Sequence, residues 1–230
     1  MHNNINCIIL CGGLGTRLRS VVHDRPKSMA LINGRPFLEY LFNKILETNI
    51  KEVLLSTGYM HDKIESYFGN NFKDIKIIYS REFEQLGTGG AILKALNYSK
   101  KLKSLVINGD TYVEIDLNKV ISKTINPNKN LMVAQYIKDC SRYHKITIHK
   151  NSQIYLNKKN KNIPGYINGG IYMLNNSLKN EFKDKAFSFE NDFLVGKDLN
   201  TKFQIIKNNG LFIDIGIPED LKKAKEILNF

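Results

Sequence analysis

Apolar runs and amphipathic stretches alternate along the first half of the chain. Ile5 to Leu10 is a mostly apolar run, the pattern of a strand covered on both faces of a parallel sheet. Pro36 to Thr48 carries Phe37, Leu38, Leu41, Phe42 and Ile45 at helical spacing, so one stripe faces a core. Val53–Thr57, Ile75–Tyr79 and Ser104–Asn108 read as further strands. Asp62–Phe68, closed by Gly69, and Ala91–Leu102 read as the helices between them. This alternation predicts an α/β fold with a mixed, mainly parallel sheet and right-handed crossovers. The second half differs. Leu131–Ile137, Lys145–His149, Ile154–Leu156, Gly170–Leu174, Phe203–Lys207 and Leu211–Asp214 read as strands with few helices between them, and Pro218–Leu228 as a final helix. Asn157 to Asn162 reads as an exposed loop. No linker or repeat divides the chain, so residues 1–230 are expected to form one domain, with halves at 1–110 and 111–230.

Composition narrows the classes. A 42% hydrophobic and 24% charged balance is that of a globular protein and excludes disorder. No apolar run approaches the roughly 20 residues that span a bilayer, so no membrane partner is expected. The start lacks a basic segment followed by a long apolar one, so it does not read as a secretory signal. Cys7, Cys11 and Cys140 form no C-x-x-C pair, which argues against a disulfide framework or structural zinc and for a reducing cytoplasmic setting. The net charge of +12 suits phosphorylated partners. The basic residues are dispersed and no stacking aromatics accompany them, so no nucleic acid is expected.

Four features carry chemistry. Gly12, Gly13 and Gly15, between Leu10 and Thr16, form a glycine-rich turn at a strand end, where backbone amides can meet a phosphate. The spacing is neither G-x-G-x-x-G nor a Walker A loop. Arg17 and Lys27, the latter aimed by Pro26, are cations suited to a triphosphate and its leaving pyrophosphate. Gln85, Gly87 and Thr88 open a second small-residue loop before a helix. It suits either a nucleobase or, equally, a helix cap at Thr88 with close packing. Asp110 and Asp214 each follow an apolar strand, a natural placement for magnesium ligands and also for turn residues.

Assembled in order, G-G-L-G-T-R-L at 12–18, R-P-K at 25–27, L-G-T-G-G-A at 86–91, N-G-D at 108–110, N-G-G-I-Y at 168–172 and D-I-G-I-P-E-D-L at 214–221 resemble the sugar-1-phosphate nucleotidyltransferases, also called nucleotide-sugar pyrophosphorylases. The motifs span nearly the whole chain. The resemblance implies a single-domain, Rossmann-like three-layer fold with nucleotide-binding (1–110) and sugar-binding (111–230) halves. It implies that Leu10, Gly12, Gly13, Gly15, Thr16, Arg17 and Lys27 hold the nucleotide phosphates. Gln85, Gly87 and Thr88 would lie near the base, and Asp110 and Asp214 would bind Mg2+. It implies sugar contacts from Asn168 and Glu190. Where such enzymes carry a Glu-Lys pair, this chain reads Asn157-Lys158-Lys159-Asn160, so Lys158 or Lys159 is left for the sugar phosphate and the acidic partner is missing.

R-P-K-S-M, G-R-P-F-L-E-Y and the short length are similar to a branch that transfers guanylyl groups from GTP to heptose 1-phosphates for surface polysaccharide. The expected partners are an NTP, GTP favoured, and a sugar 1-phosphate, and a homo-oligomer is compatible. Alternatives are uridylyl, thymidylyl or cytidylyl transfer to a hexose 1-phosphate, or a non-catalytic nucleotide-sugar sensor. The sensor would tend to lose Lys27 or an aspartate, and a glycosyltransferase would lack the early glycine loop and R-P-K.

Overall fold

The computed structural model describes residues 5–123, 128–149, 153–157, 163–182 and 185–228. Strands β1 (Ile5–Leu10), β4 (Glu52–Thr57), β6 (Ile75–Arg81) and β7 (Lys103–Asn108) form a parallel core in the order β7-β1-β4-β6. The short ribbon β2 (Leu31–Ile32) and β3 (Arg35–Pro36) leads into helix α1 (Phe37–Leu46). Helices α2 (His61–Phe68) and α3 (Gly87–Tyr98) and the edge strand β5 (Asn71–Phe72) complete this half.

The same sheet continues into the second half as antiparallel pairs. β12 (Gly165–Asn175) lies against β7, while β9 (Asn130–Ile137), β10 (Lys145–Ile148) and β11 (Ile154–Asn157) extend the sheet beyond it. β13 (Phe203–Asn208) returns parallel to β9. The fold is thus a single α/β domain on one mixed sheet, with both halves sharing that sheet.

Period-two side-chain alternation builds two cores. Cys7, Ile9, Val53, Leu55, Leu105 and Ile107 point to the face covered by α1, α2, α4 (Leu117–Ser122) and α5 (Pro218–Ile227). Ile8, Leu54 and Val106 point to the other face, where Ile92, Ala95 and Leu96 of α3 meet Phe189 and Phe203. Covering both faces explains the unbroken apolar strands.

Several elements differ from expectation. α3 begins at Gly87 and ends at Tyr98, not Ala91 to Leu102. Its first turn is stabilised by tertiary contact: a Cβ at Gly89 would fall 2.1 Å from the Phe187 ring, so only glycine lets segment 185–189 lie on the helix. β12 starts at Gly165, five residues before the expected Gly170, because pairing with β9 overrides the weak strand propensity of Asn168-Gly169-Gly170. The register shifts between Asn168 and Tyr172, and this irregularity turns Asn168 toward Glu190. Strand β8 (Thr111–Val113) and helix α4 were not anticipated. The loop expected over 157–162 falls mostly outside the described residues, and Asn157 itself closes β11. No helix among the described residues is long and apolar enough to cross a membrane.

Candidate active site

The carboxyl ends of β1 and β7 open on a cavity of about 350 Å³. Its wall includes Leu10, Gly12, Gly13, Gly15, Thr16, Arg17, Lys27, Gln85, Gly87, Thr88 and Asp110, so both glycine loops face one space. Gly15 has φ +59°, a left-handed conformation that favours glycine, and it starts the single turn Thr16–Leu18. Leu18 is buried beneath that turn and leaves Arg17 exposed at the cavity mouth. Lys27 is 13% exposed, so its ammonium is presented from within the protein rather than from solvent.

A small ribbon brings the two aspartates together. β14 (Phe212–Asp214) pairs antiparallel with β8, placing Asp214 opposite Thr111, and Ile215 N donates to Asp110 O at 3.0 Å. Lys27 Nζ lies 2.6 Å from Asp110 Oδ2 and 3.6 Å from Asp214 Oδ1. Thr111 Oγ1 donates to Asp110 Oδ1 at 3.0 Å. Burial works against ionised Asp110, yet Lys27 and the Thr111 bond outweigh it and hold its carboxyl below the usual range. Asp214 goes the other way: burial, then repulsion from Asp110, raises it despite Lys27 and Arg142. Asp214 lies behind Lys27 rather than in the cavity wall.

The two carboxylates already gather one cation between them and still leave Asp214 short of positive charge. That donor set suits a hard divalent ion completed by phosphate oxygens. Among the described residues no group of three or more His, Cys, Asp or Glu that could hold a metal ion is present.

Thr88 does not cap α3. Its hydroxyl accepts from Phe189 N at 2.9 Å, because α3 begins one residue earlier and segment 185–189 crosses its first turn. The backbone is stitched there too, with Phe187 N donating to Leu86 O at 2.9 Å and Gly89 N to Phe187 O at 2.9 Å. This crossing puts Glu190 next in the chain to Phe189, whose amide is bonded to the cavity residue Thr88. Asn168 Nδ2 donates to Glu190 Oε1 at 3.2 Å and also to the Tyr172 hydroxyl, while Gly170 N donates to Asn168 Oδ1 at 3.1 Å. Burial, then the nearby Glu190 charge, pushes the Tyr172 phenol up. Asn168 and Glu190 thus meet each other but lie outside the cavity wall. Lys158 and Lys159 lie outside the described residues.

Four residues escaped the sequence reading. Glu82 lines the cavity, its carboxylate packed against Gly12, with Oε1 accepting from Ser56 Oγ at 2.9 Å. Burial raises its pKa, and the Ser56 bond offsets part of that. Arg142 pairs with Asp220 and approaches Asp214 at 3.8 Å, and the Tyr143 hydroxyl donates to Asp214 Oδ2 at 3.2 Å. His144 Nδ1 lies 3.4 Å from Glu190 Oε2. Ser-Arg-Tyr-His-Lys reads as a polar loop, and its partners Asp214, Asp220 and Glu190 all lie far along the chain, the first two more than 70 positions from Tyr143 and Arg142.

The nucleotidyl transferase family model matches residues 6–228. The chain is 43% identical to a D-glycero-alpha-D-manno-heptose 1-phosphate guanylyltransferase from Aneurinibacillus thermoaerophilus, covering 97% of this chain and 98% of that one. It is 41% identical to the protein of the same name from Campylobacter jejuni, covering 94% and 96%. The solved structure of HddC from Yersinia pseudotuberculosis complexed with GMP-PN superposes with a TM-score of 0.83 at 37% identity, covering 96% of this chain and 98% of that one. A match of that extent, on a chain whose glycine loops, lysine and strand-end aspartate share one cavity, means that the protein belongs to the nucleotidyl transferase family and is a nucleotidyltransferase.

Proposed function

We propose that this protein transfers the guanylyl group of GTP to a heptose 1-phosphate, giving a GDP-heptose for surface polysaccharide and releasing pyrophosphate. Glu82 carries the choice of base. Asp110 in the same wall carries Lys27 as its counter-charge, whereas Glu82 has no ion pair among the described residues, so Glu82 is assigned to the base end, away from the phosphates. An ionised carboxylate only accepts hydrogen bonds, and guanine offers two adjacent donors, N1–H and the N2 amino group. Uracil and thymine offer one N–H flanked by carbonyls, a poorer match. The relatives from Aneurinibacillus thermoaerophilus and Campylobacter jejuni, both heptose 1-phosphate guanylyltransferases, support the sugar and the base together.

A sugar phosphate oxygen attacks the α-phosphorus of GTP. The new P–O bond forms as the bond to the β-phosphate oxygen breaks, and the electron pair leaves on pyrophosphate. The attacking oxygen is already an anion, so no general base is required, and alignment and charge neutralisation carry the rate. The glycine-loop amides would cradle the phosphates. Lys27, held at the cavity floor, would steady charge building on the leaving pyrophosphate, and Arg17 would screen it at the mouth. Asn168 and Glu190 would orient the sugar through its hydroxyls, and Lys158 or Lys159 would be left to meet its phosphate. Asp110 and Asp214 would hold Mg2+, which when bound neutralises phosphate charge.

Pyrophosphate release tests the reading, using five NTPs against D-glycero-α-D-manno-heptose, mannose and glucose 1-phosphates with Mg2+. GTP with the heptose substrate is expected to give the highest kcat/KM. Efficient turnover of glucose 1-phosphate with UTP or dTTP, and little of the heptose pair, overturns it.

A further inference from the structure

We infer that His144 is a positioning residue of the sugar site, holding the Glu190 carboxylate in the orientation that accepts a sugar hydroxyl. This rests on the functional reading above. It also accounts for how the site works without the acidic residue missing beside Lys158.

Glu190 is held at both ends of its carboxylate. Asn168 Nδ2 takes Oε1 at 3.2 Å, and His144 Nδ1 faces Oε2 at 3.4 Å. The Asn168 side is rigid, because its amide is already fixed by Gly170 N and by Tyr172. The other oxygen depends on His144, which has no other polar partner among the described residues. Exposure gives the direction. The His144 side chain is 12% exposed and that of Glu190 36%, so His144 is the more buried partner and Glu190 the one that solvent, and a solute, can reach. The 3.4 Å contact is an ion-pair distance, and a small rotation would let an imidazole with its hydrogen on Nδ1 donate to Oε2 whether or not it carries charge, leaving the carboxylate lone pairs for a hydroxyl.

His144 is itself well placed for this task. Its chain comes out of a turn in which Ser141 N donates to Asp139 Oδ1 at 2.8 Å and Tyr143 N to Cys140 O at 3.0 Å. Arg142 is tied to Asp220, and Tyr143 to Asp214. The next residue, Lys145, begins β10. With both neighbours anchored, the imidazole is preorganised, and ordering Glu190 costs little when the sugar arrives.

Steady-state kinetics with GTP and D-glycero-α-D-manno-heptose 1-phosphate tests this on the full chain. His144→Ala is expected to raise the KM for the sugar phosphate about 10-fold, leaving kcat and the KM for GTP within about 2-fold. His144→Asn puts an amide donor near the Nδ1 position and should restore that KM to within about 3-fold. In a Glu190→Gln background, His144→Ala should add nothing, because it acts through Glu190. An unchanged sugar-phosphate KM, a multiplicative double variant, or equal losses in GTP KM and kcat each overturn the inference. Should His144→Ala fail to fold, His144→Asn and His144→Gln decide it: the Gln amide reaches past Glu190, so equal KM values count against the proposal. An unsubstituted chain that uses no sugar 1-phosphate with GTP overturns the functional reading and this inference together. An active chain with indifferent variants overturns the inference alone.

Discussion

Lys27 Nζ sits 2.6 Å from Asp110 Oδ2, joining the residue after the R-P dipeptide to the second residue beyond the end of strand β7. The pair marks where charge is handled, and Asp214 completes it from behind. Asp110→Asn and Asp214→Asn should each lower turnover by about 100-fold or more while the protein stays folded. Calorimetric titration of Mg2+ in the presence of GTP should show weakened metal binding in both. Normal turnover of either variant at limiting Mg2+ would remove the aspartates from the mechanism.

Lys27→Ala should cost about 100-fold in kcat, against less than about 2-fold for the exposed Lys123→Ala. It also leaves two carboxylates facing each other with less compensating charge. The metal-free variant should therefore melt several degrees lower, and Mg2+ should recover most of the difference. Similar small effects from both lysines would make Lys27 an ordinary surface charge.

Base selection should follow Glu82. Glu82→Gln exchanges one acceptor for a donor, so kcat/KM for GTP should fall about 10- to 100-fold, in line with one lost bond to a charged group and one mispaired donor. The preference for GTP over UTP should shrink by the same factor. An unaltered nucleotide preference would place guanine recognition elsewhere.

The cavity also contains a thiol that should be inert. Burial raises Cys11 to about 12, and the nearby carboxylates of Asp110 and Glu82 push the same way. At pH 8 about one molecule in 10⁴ carries the thiolate, which is the reactive form. Iodoacetamide should label Cys11 at least about 1000-fold more slowly than free cysteine, and the rate should rise with pH up to about 12. Mass shifts of the Cys11 peptide in native and unfolded protein provide the check. Rapid labelling of the native protein would show the loop to be open.

The first half was legible because its apolar runs, glycine loops and helical stripe are local signals. Ile5–Leu10 is the strand the sequence predicts, and the glycines that follow it line the cavity. What escaped depends on distant partners. Gly89 and Gly90 look like a ligand loop, yet they make room for Phe187 and Lys185 from the other half. Glu82 sits in a polar stretch, Glu-Phe-Glu-Gln, where nothing marks one acid as facing inward. His144 acquires meaning only when β12 and the turn at Phe189–Leu194 bring Glu190 to it.

The β8–β14 ribbon has a consequence for how the molecule matures. Lys27 and Asp110 are separated by 83 positions, and Asp214 joins them only when the strand just before α5 docks on β8. Contacts between such distant positions carry the largest loop-closure cost, and their formation is slow. Under the proposed roles, the parallel core would gather the glycine loop before Asp214 arrives. Competence to bind nucleotide would then precede competence to cleave it, and a half-folded chain would hold its triphosphate without spending it.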